Sequence, residues 1–440
     1  MVLNIGQNGI VFRQDDGTTA ILLPGRNGGA GTQIAVSPEI TEAYRLAPGD
    51  IAEGETQPIP IENFVSNPDT ESERQPDWDT QFDEPNDRAR TPPRRVPFEC
   101  AMTRRLVSIA RINGRSALPA ENTATESSGP ADRPFPRTQR ARSERTPPDR
   151  LLVLAAGRND ITGRTLDFAA PLGAGVFGVI CGAHGAGLTR TLQTVLNGLV
   201  THAPDCVVLV LLLRPRAEEA TEWRRRFPQV EVVVGASAFS ESAPQQTLQL
   251  CDLMLEAAQR QTELGRDVVL LVDSLTALWG AMLEAEEADA QREADTSLAR
   301  RRMREWGQKA GCFHGEAPLG GGLGGSLTLL GTVWRQTVDA EAEEEHDLHP
   351  HLRLLEHILP EARWVVPLSD ILARQRLYPT IDVRRCRSQD EERLLPAENR
   401  EAHLKARGRL PERDPLACYL RLQEAFDASA DQAGLIDSLR

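Results

Sequence analysis

The sequence predicts an α/β protein whose core is a parallel sheet covered on both faces, preceded by a small β module. Three observations predict it. From about Leu151 onward the apolar runs VFGVIC, CVVLVLLL, VEVVV, DVVLLV and SLTLLGTV are too continuous for half-exposed strands and fit strands buried on both sides. Between them lie segments of helical pattern at 216–227, 245–264 and 296–310, the alternation that a doubly covered parallel sheet requires. Ahead of them, residues 1–54 alternate short apolar runs (GIVF, TAILLP, QIAVS, GDIAEG) with Gly, Asn and Asp turns, which reads as a small antiparallel sheet or barrel.

The elements divide the chain as follows. At 440 residues the chain is roughly three times a domain of ~150 residues, so two folded domains with loose segments are expected. The β module takes in 1–54 and one further strand in RRLVSIARINGRS at 104–116. The stretches 55–103 and 117–148 are rich in Pro, Glu, Asp, Arg and Ser and are expected to be a disordered insert. The α/β core spans 151–388. A charged, helically patterned tail at 389–440, ending in LACYLRLQEAFDAS, is expected to cap it. No internal repeat is present.

Composition limits function. A formal net charge of −14 disfavours nonspecific contact with nucleic acid or anionic membrane, so any RNA contact must be local. No run of about 18 apolar residues occurs, and MVLNIGQNGI lacks the basic-then-apolar order of a signal peptide, so a cytoplasmic protein without membrane contact is expected. Seven dispersed cysteines, none in a CxxC pair, suit reduced buried thiols better than a disulfide framework or a zinc site.

The chemistry is expected where the first buried strand ends. VFGVIC runs into Gly182-Ala-His-Gly185-Ala-Gly187-Leu188-Thr189 and then a helix, the strand–loop–helix setting of a phosphate-binding P-loop. In such loops glycines let backbone N–H groups face the phosphates, a lysine neutralises the β and γ phosphates, and Ser or Thr holds magnesium. Leu188 stands at the lysine position. DVVLLV ends in Asp273, a strand-end carboxylate placed as a magnesium-organising acid. The plain alternative is a tight turn and an ordinary strand-end carboxylate of another α/β fold.

The order and wording of further segments decide between these. RTLDFAAPLGAGVFGVI (164–180), HAPDCVVLVLLL (202–213), EEATEWRR (218–225), DVVLLVDSLTAL (267–278), GGSLTLLGT (324–332) and RLYPTID (376–382) resemble the bacterial transcription termination factor Rho family. VSPEITEAYRLAPGD (36–50) is similar to the segment that closes that family's RNA-binding oligonucleotide fold. The resemblance covers the β module and the core, and it implies a RecA-like P-loop core behind an OB or cold-shock-like barrel. It also implies a hexameric ring, ATP and Mg between subunits, and RNA-dependent hydrolysis. Carried over, Gly182, Gly185, Gly187 and Thr189 are the nucleotide-binding loop, Thr189 and Asp273 the magnesium pair, and Arg376 the arginine that reaches a neighbour's nucleotide.

Other positions depart from the family pattern. Besides Leu188, Pro215 occupies the place of the catalytic glutamate, in Leu213-Arg214-Pro215-Arg216. The glycine-rich channel loop is replaced by Glu284-Ala-Glu-Glu-Ala-Asp289, and the second channel loop falls in the acidic stretch 339–357, both of which would repel a phosphate backbone. The aromatic positions of the RNA site read Ile10, Phe12 and Ala35. Phe12 is either the remaining base-stacking residue or a barrel core residue. Arg214 either supplies part of the missing lysine charge to bound nucleotide or, with Arg216, is solvated.

Two further features have plain readings. His346, His349, His351 and His357 beside Glu343–Glu345 read as a solvated loop rather than a zinc site, and the run Arg300–Arg304 as a solvated or subunit-facing helix surface. Three functions remain open: an RNA-binding ring protein with impaired hydrolysis that acts in or regulates termination, an active RNA-dependent ATPase, and a binding module repurposed for a protein partner. The implied partners are RNA, a homo-hexamer or a mixed ring with an active Rho, and RNA polymerase.

Overall fold

The structure is a computed structural model. It describes residues 9–14, 17–23, 32–58, 104–113, 115–117, 144–235, 243–289, 296–314, 325–335, 354–411 and 414–439. Most of the Pro-rich insert, the histidines at 346, 349 and 351, and Cys100 lie outside the described residues.

Five N-terminal strands close on themselves. Strands β1 (Gly9–Arg13), β2 (Thr19–Leu23), β3 (Thr32–Ala35), β4 (Ile51–Pro58) and β5 (Arg104–Ile112) pair in the order β3-β2-β1-β4-β5, and a parallel β3–β5 pairing shuts the barrel; the short β6 (Arg115–Ser116) hangs on β5. Alternation along β1 explains the packing. Val11 points inward with Ile21, Ile34, Leu106, Ile109 and Ile112, while Ile10 and Phe12 point out of the barrel and are buried with Leu250, Leu253 and Met254 of the core. The barrel therefore docks through a face that is itself apolar. Strand β4 continues to Pro58 because it pairs along the whole of β5, shifting register at two bulges.

The second body is a nine-stranded sheet. Its strands are β7 (Glu144–Thr146), β10 (Phe177–Gly182), β11 (Val207–Leu212), β12 (Glu231–Val234), β13 (Val268–Asp273), β14 (Gly311–His314), β15 (Ser326–Trp334), β16 (Trp364–Pro367) and β17 (Arg387–Ser388). The order is β12-β11-β13-β15-β10-β16-β17, with β14 and β7 added beside β15; β8 (Leu151–Leu152) and β9 (Leu172–Gly173) form a separate pair. From β12 to β16 every pairing is parallel. The apolar runs become central strands because both faces are covered. Helices 161–169, 188–202 and 217–226 and the C-terminal helices lie on one side, and helices 243–262, 275–289 and 296–307 on the other.

The C-terminal residues form helices 391–394, 397–408, 415–428 and 432–439. Arg164 anchors them: it is buried, lies over the Phe426 ring, and donates to Ser429 Oγ at 2.7 Å and to the Asp431 carbonyl at 2.8 Å. Among the described residues no helix is long and apolar enough to cross a membrane.

Candidate functional site

Strand β10 sits between β15 and β16, and the chain leaves it to build the far side of the sheet, so its carboxyl end is the switch point where open α/β sheets bind ligands. Here Gly182 ends the strand and Gly187 caps helix 188–202. The loop turns on left-handed glycines, with φ 82° at Gly185 and 95° at Gly187. A side chain at Gly185 would meet nothing within 4 Å, so its backbone is open to a ligand. Helix 188–202 then offers the unpaired N–H groups and partial positive charge of its first turn.

The structure brings Thr189 and Asp273 together. The Asp273 carboxylate accepts from Thr332 Oγ1 at 2.6 Å and from the Thr189 hydroxyl. Burial pushes its pKa above the usual carboxylate value, the two hydroxyls pull it down, and the nearby charge of Glu219 adds to the upward shift. Two hard oxygen donors side by side at the helix start fit a Mg ion, and the open loop fits phosphate oxygens.

Leu188 does not fit a polyphosphate. Its side chain is 5% exposed and packs with Leu192, Val195 and Leu196, so the lysine position is turned into the apolar core. Arg214 does not approach the loop either, because its guanidinium forms a bidentate ion pair with Glu284. Pro215 stands three residues past the end of β11, and its side chain carries no proton acceptor. In the first turn of helix 217–226 that follows, Glu219 Oε2 accepts the Arg216 N–H at 3.0 Å as part of the helix cap. Arg376 is exposed, with φ 57°, and among the described residues makes no ion pair.

Phe12 belongs to neither of its sequence-derived readings. At 4% exposure it has no free face for a base, and it fills the joint between barrel and core rather than the barrel interior. Ile10 is buried beside it. The side chains of 286–289, at the end of helix 275–289, and all of 339–353 lie outside what the structure describes.

Four residues near the loop were not singled out from the sequence. Tyr378, 47% exposed, stands over Gly187, and Thr380 Oγ1 donates to the Ala186 carbonyl at 2.6 Å, so RLYPTID buttresses the P-loop of its own chain. Tyr378 thereby presents an aromatic face beside the helix start, suited to a flat ring. His184 meets the half-exposed Trp334 edge-on at 5.5 Å. The aromatic in RLYPTID was visible; its contact with a loop far away in sequence was not.

No protein-family model matches the chain. It is 32% identical over 243 residues, 54% of its length, to the transcription termination factor Rho of Buchnera aphidicola subsp. Schizaphis graminum, and 30% identical over 242 residues to that of Escherichia coli K12. The chain spans about half the length of these curated relatives, 53% and 52%. Among solved structures it is similar to a prototypical ATPase of the type III secretion system of pathogenic bacteria (TM-score 0.51, 18% identity, 70% of this chain and 90% of that one). It is also similar to the assembled ATPase EscN of the enteropathogenic E. coli type III secretion system (TM-score 0.50, 18% identity, 71% and 79%). At that identity the structural likeness shows the fold alone, a parallel α/β sheet covered by helices on both faces. Together the sequence similarities support a Rho-like relationship.

Proposed function

We propose that the chain is a Rho-like protein that acts in or regulates transcription termination, with a P-loop that holds Mg·ATP weakly and hydrolyses it close to background. The observation that carries this reading is the buried Leu188 beside an intact Thr189–Asp273 pair. Phosphoryl transfer depends on positioning and on charge at the phosphates, and a single charged part such as an arginine finger is worth ~10³–10⁵ in rate. Loss of the lysine and the glutamate removes two such parts. Binding is less affected, since loop amides, the helix start and a Mg ion on Thr189 and Asp273 would still hold phosphates. Tyr378 would flank the base, and Arg376 would be donated to a neighbour's site in a homo-hexamer or in a mixed ring with an active Rho.

On the same reading the barrel is an OB-like module that contacts RNA locally, and RNA and RNA polymerase are the partners. The test is steady-state ATP hydrolysis with and without poly-cytidine RNA, run beside the Leu188→Lys, Pro215→Glu double variant. The expected result is no turnover above background for the unmodified chain and RNA-stimulated turnover for the double variant. RNA-stimulated hydrolysis by the unmodified chain would overturn the reading in favour of an active RNA-dependent ATPase.

A further inference from the structure

Arg214 stands two residues past the end of β11, beside the strand that ends in Asp273; the Leu213 N–H donates to the Asp273 carbonyl at 2.7 Å. Its backbone is left-handed, φ 52°, a conformation that a non-glycine residue adopts only at a cost. The side chain is only 22% exposed, both terminal nitrogens bond Glu284, and its Nε is buried without a hydrogen-bond partner. A strained backbone and an unsatisfied nitrogen are thus held in place largely by one carboxylate.

The direction of that hold matters. Along β11, Val210 and Leu212 pack on the side of helix 188–202, which carries the P-loop, while Leu209, Leu211 and Leu213 pack on the side of helices 243–262 and 275–289. Glu284 lies on helix 275–289, so the pair draws Arg214 to the face opposite the P-loop helix. Strands β13 and β15 separate β11 from β10, about 14 Å at three strand spacings. A released Arg214 would therefore act on the far end of a polyphosphate chain rather than at the loop itself.

We propose that the Glu284–Arg214 pair is an autoinhibitory contact: it withholds from the site a cation that would offset the missing lysine, and its release raises affinity for a nucleoside triphosphate. This rests on the reading of the P-loop as a nucleotide site. Charge-assisted hydrogen bonds are the strong ones, so freeing Arg214 is expected to be visible in binding.

The test is calorimetric titration of Mg·ATP and Mg·ADP into the full chain, the Glu284→Gln and Leu188→Lys variants, and the Glu284→Gln, Arg214→Gln double variant. Glu284→Gln is expected to tighten Mg·ATP roughly tenfold, as one charge-assisted hydrogen bond allows, with little change for Mg·ADP, and the added Arg214→Gln to abolish the gain. Glu284→Asp, which keeps the charge but breaks the bidentate geometry, is the second variant should the glutamine not fold, with a smaller shift in the same direction. Unchanged Mg·ATP affinity in both, while Leu188→Lys binds, overturns the contact and leaves the nucleotide reading standing. A gain that survives Arg214→Gln overturns it as well. Failure of Leu188→Lys to bind Mg·ATP removes the nucleotide reading, and the inference with it.

Discussion

Single residues decide what the loop after β10 can hold, and Leu188 is the most informative of them. Burying a leucine side chain contributes about 1.5–3 kcal/mol, so the position serves the core instead of a phosphate. Leu188→Lys should therefore lower the Tm by a few degrees in plain buffer, and Mg·ATP should restore more of that loss in the variant than in the parent chain. A Tm that Mg·ATP leaves unchanged would show that the lysine finds no phosphate there. Asp167 offers a separate check on the core. Its carboxylate accepts the Leu154 and Ala155 N–H groups at 2.9 and 3.0 Å, yet burial pushes its pKa up to about 6 from 3.8. The folded state then binds this proton more tightly than the unfolded chain, so Asp167 lowers stability as pH rises from about 4 to 6, by about 3 kcal/mol in all. Against that background Asp167→Asn should gain on the parent across this window and track it above. Urea midpoints that differ by a constant amount from pH 4 to 7 would refute this.

At the scale of elements, the joint between barrel and core is a buried polar network bordered by an apolar seam. Asn113, left-handed at φ 51°, accepts from the Ile51 N–H at 2.8 Å and from Gln261 Nε2 at 3.2 Å, and donates to Asp50 at 3.0 Å; Arg266 and Arg260 reach barrel carbonyls from the core side. Gly49 turns at φ 85° where a side chain would strike the Glu256 backbone at 2.7 Å. Asn113→Ala should cost about 3 kcal/mol through stranded polar groups and an unfavourable backbone, whereas Asn113→Gly should recover about 1 kcal/mol of it. Denaturant unfolding of the two variants measures the split. The sequence made the strands around this joint legible, because burial on two faces writes unbroken apolar runs and burial on one face writes alternation. It also picked out the glycine turn after β10 and the carboxylate of Asp273 at the end of β13, whose signals are local. It misplaced Phe12, since strand alternation shows that a residue faces away from Val11 but not what covers that face. It could not show the Arg214–Glu284 pair or Tyr378 over Gly187, which join positions far apart in the chain.

For the whole molecule, the balance of charge sets what an RNA strand would meet. The chain carries a net −14, and its acidic stretches at 284–289 and 339–357 stand where the resemblance places channel loops. The barrel is different: Arg13, Arg104, Arg105 and Arg111 are exposed, and among the described residues none of the four forms an ion pair. Three of them ride on β5, whose bulged pairing with β4 leaves only Leu106, Ile109 and Ile112 buried along the strand. If RNA contact is confined to the barrel, few phosphates are neutralised. Each neutralised phosphate of a single strand contributes about −0.7 to the slope of log K against log salt, so three or four contacts give a slope near −2 to −3. Fluorescence anisotropy of a labelled poly-cytidine oligomer from 50 to 200 mM salt measures it directly, at roughly the range where such slopes are resolved. Arg104→Gln, Arg105→Gln should reduce the slope by about 1.4 and weaken binding at low salt. A slope of −5 or steeper in the parent chain, insensitive to those substitutions, would mean that cations outside the barrel grip the strand and that the acidic runs do not line its path.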